Sequence, residues 1–375
     1  MSRIVADVIV VGGGIVGCSV AYHLVQRRGV RVLVVEKGSV AAGMTRRSGA
    51  LIRTPLTHPT EAQLALASRK FFRQWKEHVG ASCGFTPTGL VVVASAEQAT
   101  RLREQTAQVQ ALGAQVQMLS PDAVRELQPT ARVDDIALAM YEPEAGFVDP
   151  LLATQTLAAR VKELGGTFKT GTFVKQIRVE YGRVTGIETS IGLMESLNVV
   201  LCAGVWTDRL LRPLKIELGL RTPRASVAFF QRPTDLSAGH LAFDDWITGA
   251  SFRPHSFGLT MAMLNTTDEE VNPDAFDESV SAAFVREVQQ RIAARVPSLA
   301  QARYLRGHAG VYDASPAGRA LVGRVPGVSG LFVAAGLGNI GLTMAPAVGA
   351  CLAEWVLDGE ARTVDVSALS VRRET

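Results

Sequence analysis

The feature that most constrains this chain is a glycine-rich turn at residues 12–17, which reads GGGIVG. It follows a β-branched run at 7–11 that is typical of a buried parallel strand, and it precedes residues 18–25, where apolar side chains recur at helical spacing. A second β-branched run at 30–35 ends at Glu36. This order of strand, glycine turn, helix, strand and acid predicts a βαβ unit that binds a dinucleotide.

Each residue of this unit has its own physical role. Gly12 permits the tight turn, Gly14 lets backbone N–H groups approach a diphosphate, and Gly17 allows the helix to pack closely on the strand. The Glu36 carboxylate accepts hydrogen bonds from ribose hydroxyls, and an acid here disfavours a 2′-phosphate. The alternative is a glycine turn in an unrelated α/β fold.

The composition excludes several classes of protein. The length of 375 residues corresponds to two or three domains, and 47% hydrophobic with 20% charged residues excludes a disordered chain and a disulfide-stapled miniprotein. The net charge is +4, and 32 of the 39 basic residues are arginine. These residues are dispersed along the chain, so no nucleic-acid footprint is visible. Arginine favours paired contacts to carboxylate or phosphate, which points to an anionic small molecule.

The cysteines and the apolar segments bear on compartment and metal binding. The four cysteines, at 18, 83, 202 and 351, are far apart and form no CxxC, so we expect reduced thiols, no metal site and a cytoplasmic location. The apolar stretch at 8–25 contains four glycines and a histidine and is shorter than a membrane span. We therefore expect no transmembrane segment.

Residues 43–53 bear on the choice between NAD and FAD. This loop follows the second strand, is rich in small and hydroxyl residues, and carries Arg46, Arg47 and Arg53. A two-half NAD fold would begin another strand–helix repeat at this point. A loop of small residues with hydrogen-bond donors suits a cofactor that extends further along the chain, as FAD does.

A second glycine cluster lies near the C-terminus. The buried run at 331–335 enters residues 336–341, which read GLGNIG, before a long apolar helix at 342–357. A helix start behind a glycine loop presents unpaired N–H groups and the positive end of the helix dipole. Directed at the N1–C2=O edge of a flavin, these donors would stabilise the negative charge of its reduced form. The alternative is a tight strand-to-helix turn without a ligand.

Seven motifs along the chain resemble one known family. They are GGGIVG at 12–17, EK at 36–37, GMTRRS at 43–48, LIR at 51–53, LSPDAVREL at 119–127, VLCAGVW at 200–206 and GLGNIGLT at 336–343. The chain resembles the D-amino-acid oxidase and sarcosine oxidase family of FAD-dependent oxidoreductases. It is most similar to the branch that contains the β subunit of heterotetrameric sarcosine oxidase, D-hydroxyproline dehydrogenase and opine oxidase. The resemblance spans about 7 to 357 and is thin between 223 and 300.

The resemblance implies an α/β fold with two interleaved domains. One is a Rossmann-like FAD-binding domain of the glutathione-reductase type, made of residues 1–82, 143–222 and 305–375. The other is an α+β substrate domain that contains an antiparallel sheet, made of residues 83–142 and 223–304.

The resemblance also implies which residues bind FAD. They are Gly12, Gly14, Ile15, Val16, Gly17, Glu36, Lys37, Thr45, Arg46, Arg47, Ser48, Val174, Ala203, Gly204, Trp206, Gly338, Asn339, Ile340, Gly341, Leu342 and Thr343.

The substrate side is argued from chemistry as well as resemblance. Oxidation of an amine by hydride transfer to flavin N5 requires a neutral amine close to N5, and an amino-acid carboxylate is best held by arginine. Arg53 and Arg253 are the candidates, and each could instead form a structural ion pair. Tyr312 and His308 are placed near the ring by the resemblance, and each could instead be part of a packed wall.

Four positions depart from the family pattern. Gly310 and Arg47 stand where relatives carry a flavin-bonding cysteine or histidine, so we predict noncovalent FAD. Thr260 aligns with a lysine that assists oxygen, and Thr343 with a lysine or arginine used for carboxylate. We therefore expect a dehydrogenase that passes electrons to a partner subunit or another acceptor.

The leading hypothesis is FAD-dependent oxidation of the C–N bond of a small amino acid or secondary amine to an imine. D-amino acids, proline-like, sarcosine- or glycine-like compounds and opines are the substrate types considered. The alternative is a flavin-binding electron-transfer subunit of a hetero-oligomeric dehydrogenase, without its own substrate site. A flavin monooxygenase is disfavoured because no second nicotinamide fingerprint is visible.

Overall fold

The computed structural model describes residues 4–265 and 269–371. Within these ranges the chain forms 21 strands and nine α-helices. The strands are β1 (Ile4–Val5), β2 (Val8–Val11), β3 (Val32–Val35), β4 (Leu51–Ile52), β5 (Thr86–Pro87), β6 (Leu90–Ala94), β7 (Gln117–Leu119), β8 (Leu138–Glu142), β9 (Gly146–Phe147), β10 (Thr167–Lys169), β11 (Val174–Glu180), β12 (Arg183–Thr189), β13 (Gly192–Glu195), β14 (Val199–Leu201), β15 (Arg224–Gln231), β16 (Ala242–Asp245), β17 (Ala250–His255), β18 (Leu259–Leu264), β19 (Arg303–Val311), β20 (Leu321–Arg324) and β21 (Leu331–Ala335). The helices are α1 (Ile15–Val25), α2 (Pro59–Arg73), α3 (Trp75–Val79), α4 (Ala99–Ala111), α5 (Pro121–Leu127), α6 (Pro150–Glu163), α7 (Thr207–Leu211), α8 (Ala282–Arg295) and α9 (Gly341–Leu357).

The β-branched runs form the centre of a six-stranded sheet of order β10-β3-β2-β14-β21-β20. The first five strands are parallel, and β20 is antiparallel to β21 at the edge. Every residue of β2, β3, β14 and β21 is buried. The helices α1, α6 and α9 cover one face, and a four-stranded sheet of order β1-β13-β12-β11 covers the other. This double cover explains why these strands are continuous apolar runs.

An eight-stranded sheet of order β19-β15-β18-β17-β16-β6-β8-β7 forms the second large layer. Its strands pair antiparallel except for β16 with β6. Helix α8 packs on one face, through Phe230, Phe252 and Ala262. We call the opposite face the inner face. Its residues on β15–β19 are Val227, Phe229, Gln231, Asp244, Ser251, Arg253, His255, Leu259, Met261, Met263, Arg306 and His308.

One helical segment, Gly338–Leu357, is long and apolar enough by composition to cross a membrane. In the fold 61% of its most apolar window is buried, and α9 packs against α1 and α2. A core helix of this kind passes the same length and composition test. We therefore interpret α9 as part of the core formed with the six-stranded sheet.

The predicted fold class, an α/β cofactor domain interleaved with an α+β domain, is confirmed by the two large sheets and the order of their strands. The boundary predicted at residue 305 falls inside β19, which pairs with β15 along its whole length. Residues 305–311 therefore belong to the eight-stranded sheet. The reason is physical: this strand runs out of one sheet directly into the loop that supports the other, so no linker marks the change.

Candidate functional site

The residues predicted to bind the cofactor gather at one edge of the six-stranded sheet. Strands β2, β3, β14 and β21 are neighbours, and their carboxyl ends open at this edge. This is where ligands bind in open α/β sheets. Residues 12–17 follow β2, 36–37 follow β3, 203–206 follow β14 and 336–343 follow β21. Val174 joins them because nearby Thr172 donates a backbone hydrogen bond to the Glu36 carbonyl, at 2.9 Å.

The glycine turn after β2 requires glycine at two positions. Gly12 has a φ of +112°, and a Cβ there would lie 2.2 Å from the Cys202 carbonyl oxygen. A Cβ on Gly17 would lie 2.0 Å from the Gly12 carbonyl oxygen, because α1 passes directly over the turn. Both contacts are far below van der Waals distance, so the roles predicted for these glycines agree with the packing.

The start of α1 offers donors to an anion. Gly14 precedes the helix without a side-chain cap, and the Ile15 N–H reaches only the Thr45 hydroxyl, at 3.1 Å. The Glu36 carboxylate accepts from the Gly13 and Gly38 N–H groups, each at 2.7 Å and each on a different oxygen. A cradle of N–H groups beside an oriented carboxylate fits the diphosphate and ribose of FAD.

The second glycine loop is braced by a buried carboxylate. Asp313 accepts from the Gly336 N–H at 2.6 Å, and its backbone carbonyl accepts from the Gly338 N–H at 2.9 Å. Burial raises the pKa of Asp313 to about 6. Gly338 has a φ of +60° and open space where a Cβ would lie, so this turn leaves room for a planar group. The Thr343 hydroxyl donates to the Leu51 carbonyl at 2.8 Å, which occupies it within the fold.

The loop at 43–50 packs against the inner face of the eight-stranded sheet. A Cβ on Gly49 would lie 3.1 Å from the Met263 methyl carbon and 3.2 Å from that of Met261. The Arg253 Nε donates to the Gly49 carbonyl at 2.8 Å. The two glycine clusters, this loop and the inner face therefore surround one region, in which a flavin ring and a small substrate are expected to meet.

Strand register gives the order of side chains on the inner face. Arg253 pairs with Met261, Met261 with Phe229, and Phe229 with Arg306, so these four form one row across β17, β18, β15 and β19. Successive strands in a sheet lie about 4.8 Å apart. Two apolar side chains therefore separate two cations, and the Arg306 guanidinium lies 4.0 Å from the centre of the Phe229 ring.

Arg253 has an unusual environment. Its side chain is buried, donates to the Gly49 and Pro254 carbonyls at 2.8 and 2.9 Å, and lies 4.1 Å from the centre of the Phe147 ring. Among the described residues it forms no ion pair with a carboxylate. Burial lowers the pKa of the guanidinium to about 9, which still leaves it charged at neutral pH. An uncompensated buried cation favours an anionic ligand.

His255 was not predicted and lies beside this cation. Its Nδ1 is 3.3 Å from the Arg253 Nη1, and its ring contacts those of Phe229 and Phe147. Burial and the neighbouring guanidinium lower its pKa to about 4, so the imidazole is neutral at pH 7. Accepting from Arg253 through Nδ1 leaves the proton on Nε2. The strand alternation of β17, with Arg253 and His255 two residues apart, could have identified it.

Arg53 is held differently from Arg253. Its guanidinium forms an ion pair with Asp244 at 3.3 Å and remains partly exposed. The following residue, Thr54, donates its N–H and hydroxyl to the fully buried Glu142, which also pairs with Arg69. The backbone after Arg53 is therefore fixed, and its charge is balanced. The structure favours the ion-pair alternative for Arg53 and the ligand alternative for Arg253.

His308 and Gly310 lie along β19 on the side of the 43–50 loop. The His308 Nε2 is 3.3 Å from the Arg47 carbonyl oxygen, and a Cβ on Gly310 would lie 3.0 Å from the Arg47 Cβ. The two positions at which relatives bond their flavin are thus neighbours in space, and neither carries a nucleophile. Tyr312 is half-buried just after β19, where its N–H donates to the Pro223 carbonyl at 3.2 Å.

The lysine position predicted at Thr260 needs a correction. The Thr260 side chain faces away from the inner face, and its hydroxyl is 2.7 Å from the Nε2 of the buried His240. Met261, one residue later, faces the site instead. A strand alternates its faces at every residue, so a one-residue alignment error exchanges them.

The described ranges hold no cluster of three histidine, cysteine or acidic residues arranged for a metal ion. The four cysteines are free, and Cys202 lies under the first glycine turn, far along the chain from the flavin-side loops.

Known proteins share this geometry. The model of a family described as FAD dependent oxidoreductase, DAO, matches residues 7–355. The chain is 27% identical over 376 residues to glycine oxidase of Geobacillus kaustophilus, covering 98% of this chain and 97% of that protein. It is 28% identical to the mitochondrial pyruvate dehydrogenase phosphatase regulatory subunit of Mus musculus, covering 94% of this chain. It spans only 42% of that longer protein.

Solved structures give the same result. The crystal structure of glycine oxidase from Geobacillus kaustophilus superposes with a TM-score of 0.87 at 25% identity, covering 100% of both chains. The crystal structure of L-proline dehydrogenase from P. horikoshii superposes with a TM-score of 0.89 at 24% identity, covering 96% of both chains. The second likeness is one of fold alone.

Proposed function

Because the chain belongs to the DAO family of FAD-dependent oxidoreductases, we propose that it oxidises the C–N bond of a small amino or imino acid that carries a free carboxylate. The enzyme class and the cofactor follow from the family. The carboxylate requirement and the residues that meet it are our proposal. FAD, when bound, supplies the chemistry by accepting a hydride from the carbon next to the substrate nitrogen.

The observation that carries this proposal is the uncompensated Arg253 guanidinium. A buried arginine in a folded protein is normally paired with an acid, as Arg295 is with Asp245 and Asp135 on the opposite face of the same sheet. Arg253 has carbonyl and ring contacts only, and faces the region enclosed by the cofactor loops. A substrate carboxylate would supply the missing negative charge.

The neighbouring side chains suit the rest of such a substrate. His255, neutral and with a proton on Nε2, would donate a second hydrogen bond to the carboxylate. Phe229 and Met261 form an apolar floor that excludes water from the carbon to be oxidised. Arg53, balanced by Asp244, would line the entrance and orient the substrate without binding it as the main cation.

FAD is proposed to be bound without a covalent link. The support is the pairing of Gly310 with Arg47, which places no cysteine or histidine at either linkage position. Acid precipitation of the purified protein is expected to release all yellow colour into the supernatant. Colour that stays in the pellet would refute this assignment.

The experiment that tests the function is an anaerobic screen that follows bleaching of the bound flavin. Small amino acids, N-methyl amino acids and cyclic imino acids are compared with matched amines that lack the carboxylate. We expect bleaching by a carboxylate-bearing compound and at least tenfold slower bleaching by its decarboxylated partner. Equal rates would refute the role of Arg253. A complete absence of bleaching would favour the alternative of an electron-transfer subunit.

We also propose that the enzyme is a dehydrogenase that passes its electrons to an acceptor other than oxygen. The support is Met261, an uncharged thioether at the site-facing position next to Thr260. Peroxide formation is expected to be slow relative to reduction of an artificial acceptor by the same substrate. Stoichiometric peroxide at the rate of substrate turnover would contradict this.

A further inference from the structure

An irregular segment of the substrate side reaches across to the cofactor side. Residues 269–281, which we call the strap, precede α8. The strap begins beside the crossing between the two large sheets, where the Arg224 N–H donates to the Glu269 carbonyl at 2.9 Å and the Val271 N–H donates to the Thr222 carbonyl at 3.2 Å. It therefore leaves the eight-stranded sheet in the direction of the dinucleotide-binding edge.

The first attachment of the strap is Asp274. Its carboxylate accepts from the Trp206 indole N–H at 2.8 Å, forms an ion pair with Arg209 at 2.5 Å, and lies 3.6 Å from the Lys37 ammonium. The Lys37 ammonium in turn lies 3.2 Å from the centre of the Trp206 ring. One acidic side chain thus fixes two residues that were predicted to bind FAD, and Lys37 directly follows the ribose-binding Glu36.

The second attachment is Glu278. Its carboxylate forms an ion pair with Arg47, and its backbone carbonyl accepts from the Ala309 N–H at 2.8 Å. Arg47 belongs to the loop on the flavin side, and Ala309 precedes Gly310 on β19. The strap is therefore tied near both halves of the expected cofactor, with charged contacts at each tie.

We propose that the strap retains FAD, with Asp274 acting as a positioning residue for Lys37 and Trp206 at the adenosine half. FAD cannot leave freely while Lys37 and Trp206 are held against the dinucleotide turn. The attachments are ion pairs between partly exposed side chains, with side-chain exposures of 39% for Asp274 and 47% for Lys37. Such pairs weaken as salt screens them.

The test measures release of FAD from the purified holoenzyme by the rise in free-flavin fluorescence after dilution. Asp274→Ala removes the charge and the indole acceptor, and is expected to speed release about fivefold to thirtyfold. Asp274→Asn keeps an acceptor for Trp206 but loses the charge, so a smaller increase is expected. Wild-type release is expected to accelerate between about 0.05 and 0.5 M NaCl, and that salt effect is expected to shrink in both variants.

The matched control is Glu270→Gln, because Glu270 is also on the strap but pairs with Arg221, outside the predicted cofactor residues. Its release rate is expected to stay within twofold of the wild type. Equal release from wild type and Asp274→Ala would overturn the proposal. So would a wild-type release rate that does not respond to salt, a measurement that needs no variant to fold.

Discussion

Replacing Arg253 by methionine should stabilise the protein while damaging its function. Burial lowers the pKa of the guanidinium from 12.5 to about 9. A shift of this size corresponds to roughly 5 kcal/mol spent in keeping the charge inside the free protein. Since pH 7 lies below both pKa values, the guanidinium is charged in the folded and the unfolded chain, and the full penalty applies there. Arg253→Met removes it.

The same change removes favourable contacts, which offset part of that gain. The Gly49 and Pro254 carbonyls each lose a donor, at about 1 kcal/mol apiece, and the contact with the Phe147 ring is worth about another 1 kcal/mol. The free energy of unfolding of Arg253→Met should therefore rise by roughly 2 kcal/mol. Loss of the buried partner of a substrate carboxylate should cost about 2–5 kcal/mol, or roughly 30-fold to several thousandfold in kcat/KM.

The assay combines urea unfolding of the holoenzyme with anaerobic flavin reduction by the substrate found in the screen. Arg295→Met is the matched control, because Arg295 is fully buried and paired with Asp135 and Asp245. It should lose about 3–5 kcal/mol of stability, since two acids would be left unpaired. If Arg253→Met instead loses stability and keeps kcat/KM within threefold of the wild type, the reasoning fails.

Two further predictions concern an ion pair and pH. Arg53→Gln and Asp244→Asn should each lower kcat/KM, and the double variant should lose about 1 kcal/mol less than the two single losses together, because the 3.3 Å pair acts as one unit; additive losses in a double-mutant cycle would show that the pair has no coupled role. Burial lowers the pKa values of His23, His240 and His255 to about 4, below the 6.5 of the unfolded chain. The unfolded state therefore binds more protons between these values, and the free energy of unfolding should fall as pH drops from about 6.5 towards 4. Urea midpoints across this range measure the effect, and His240→Asn should reduce its slope.

The sequence was sufficient for the dinucleotide half of the site because its signals are local. Gly12, Gly17 and Glu36 lie within 25 residues, and each role follows from backbone geometry at that position. The C-terminal loop at 336–341 was found for the same reason. What the sequence could not show was that these segments meet, since the order β3-β2-β14-β21 joins strands that are far apart in the chain.

The substrate half was harder to predict because it depends on which face of each strand points at the cofactor. On β17 the pattern is readable: Arg253 and His255 alternate with Phe252 and Pro254, so the two polar residues share one face. On β18 both faces are covered, one by α8 and the other by the cofactor loops, and the run LTMAML shows no alternation that would separate them.

Only the pairing of β17 with β18 decides the matter. Arg253 lies opposite Met261, and this pairing brings Met261, and not Thr260, to the inner face. A register one residue away would place the Thr260 hydroxyl beside the cation and would move the buried partner of His240 out of reach. The 2.7 Å contact between His240 and Thr260 on the α8 side therefore helps to hold the register that gives the inner face its apolar floor. A polar pair remote from the cofactor thus contributes to the shape of the substrate site.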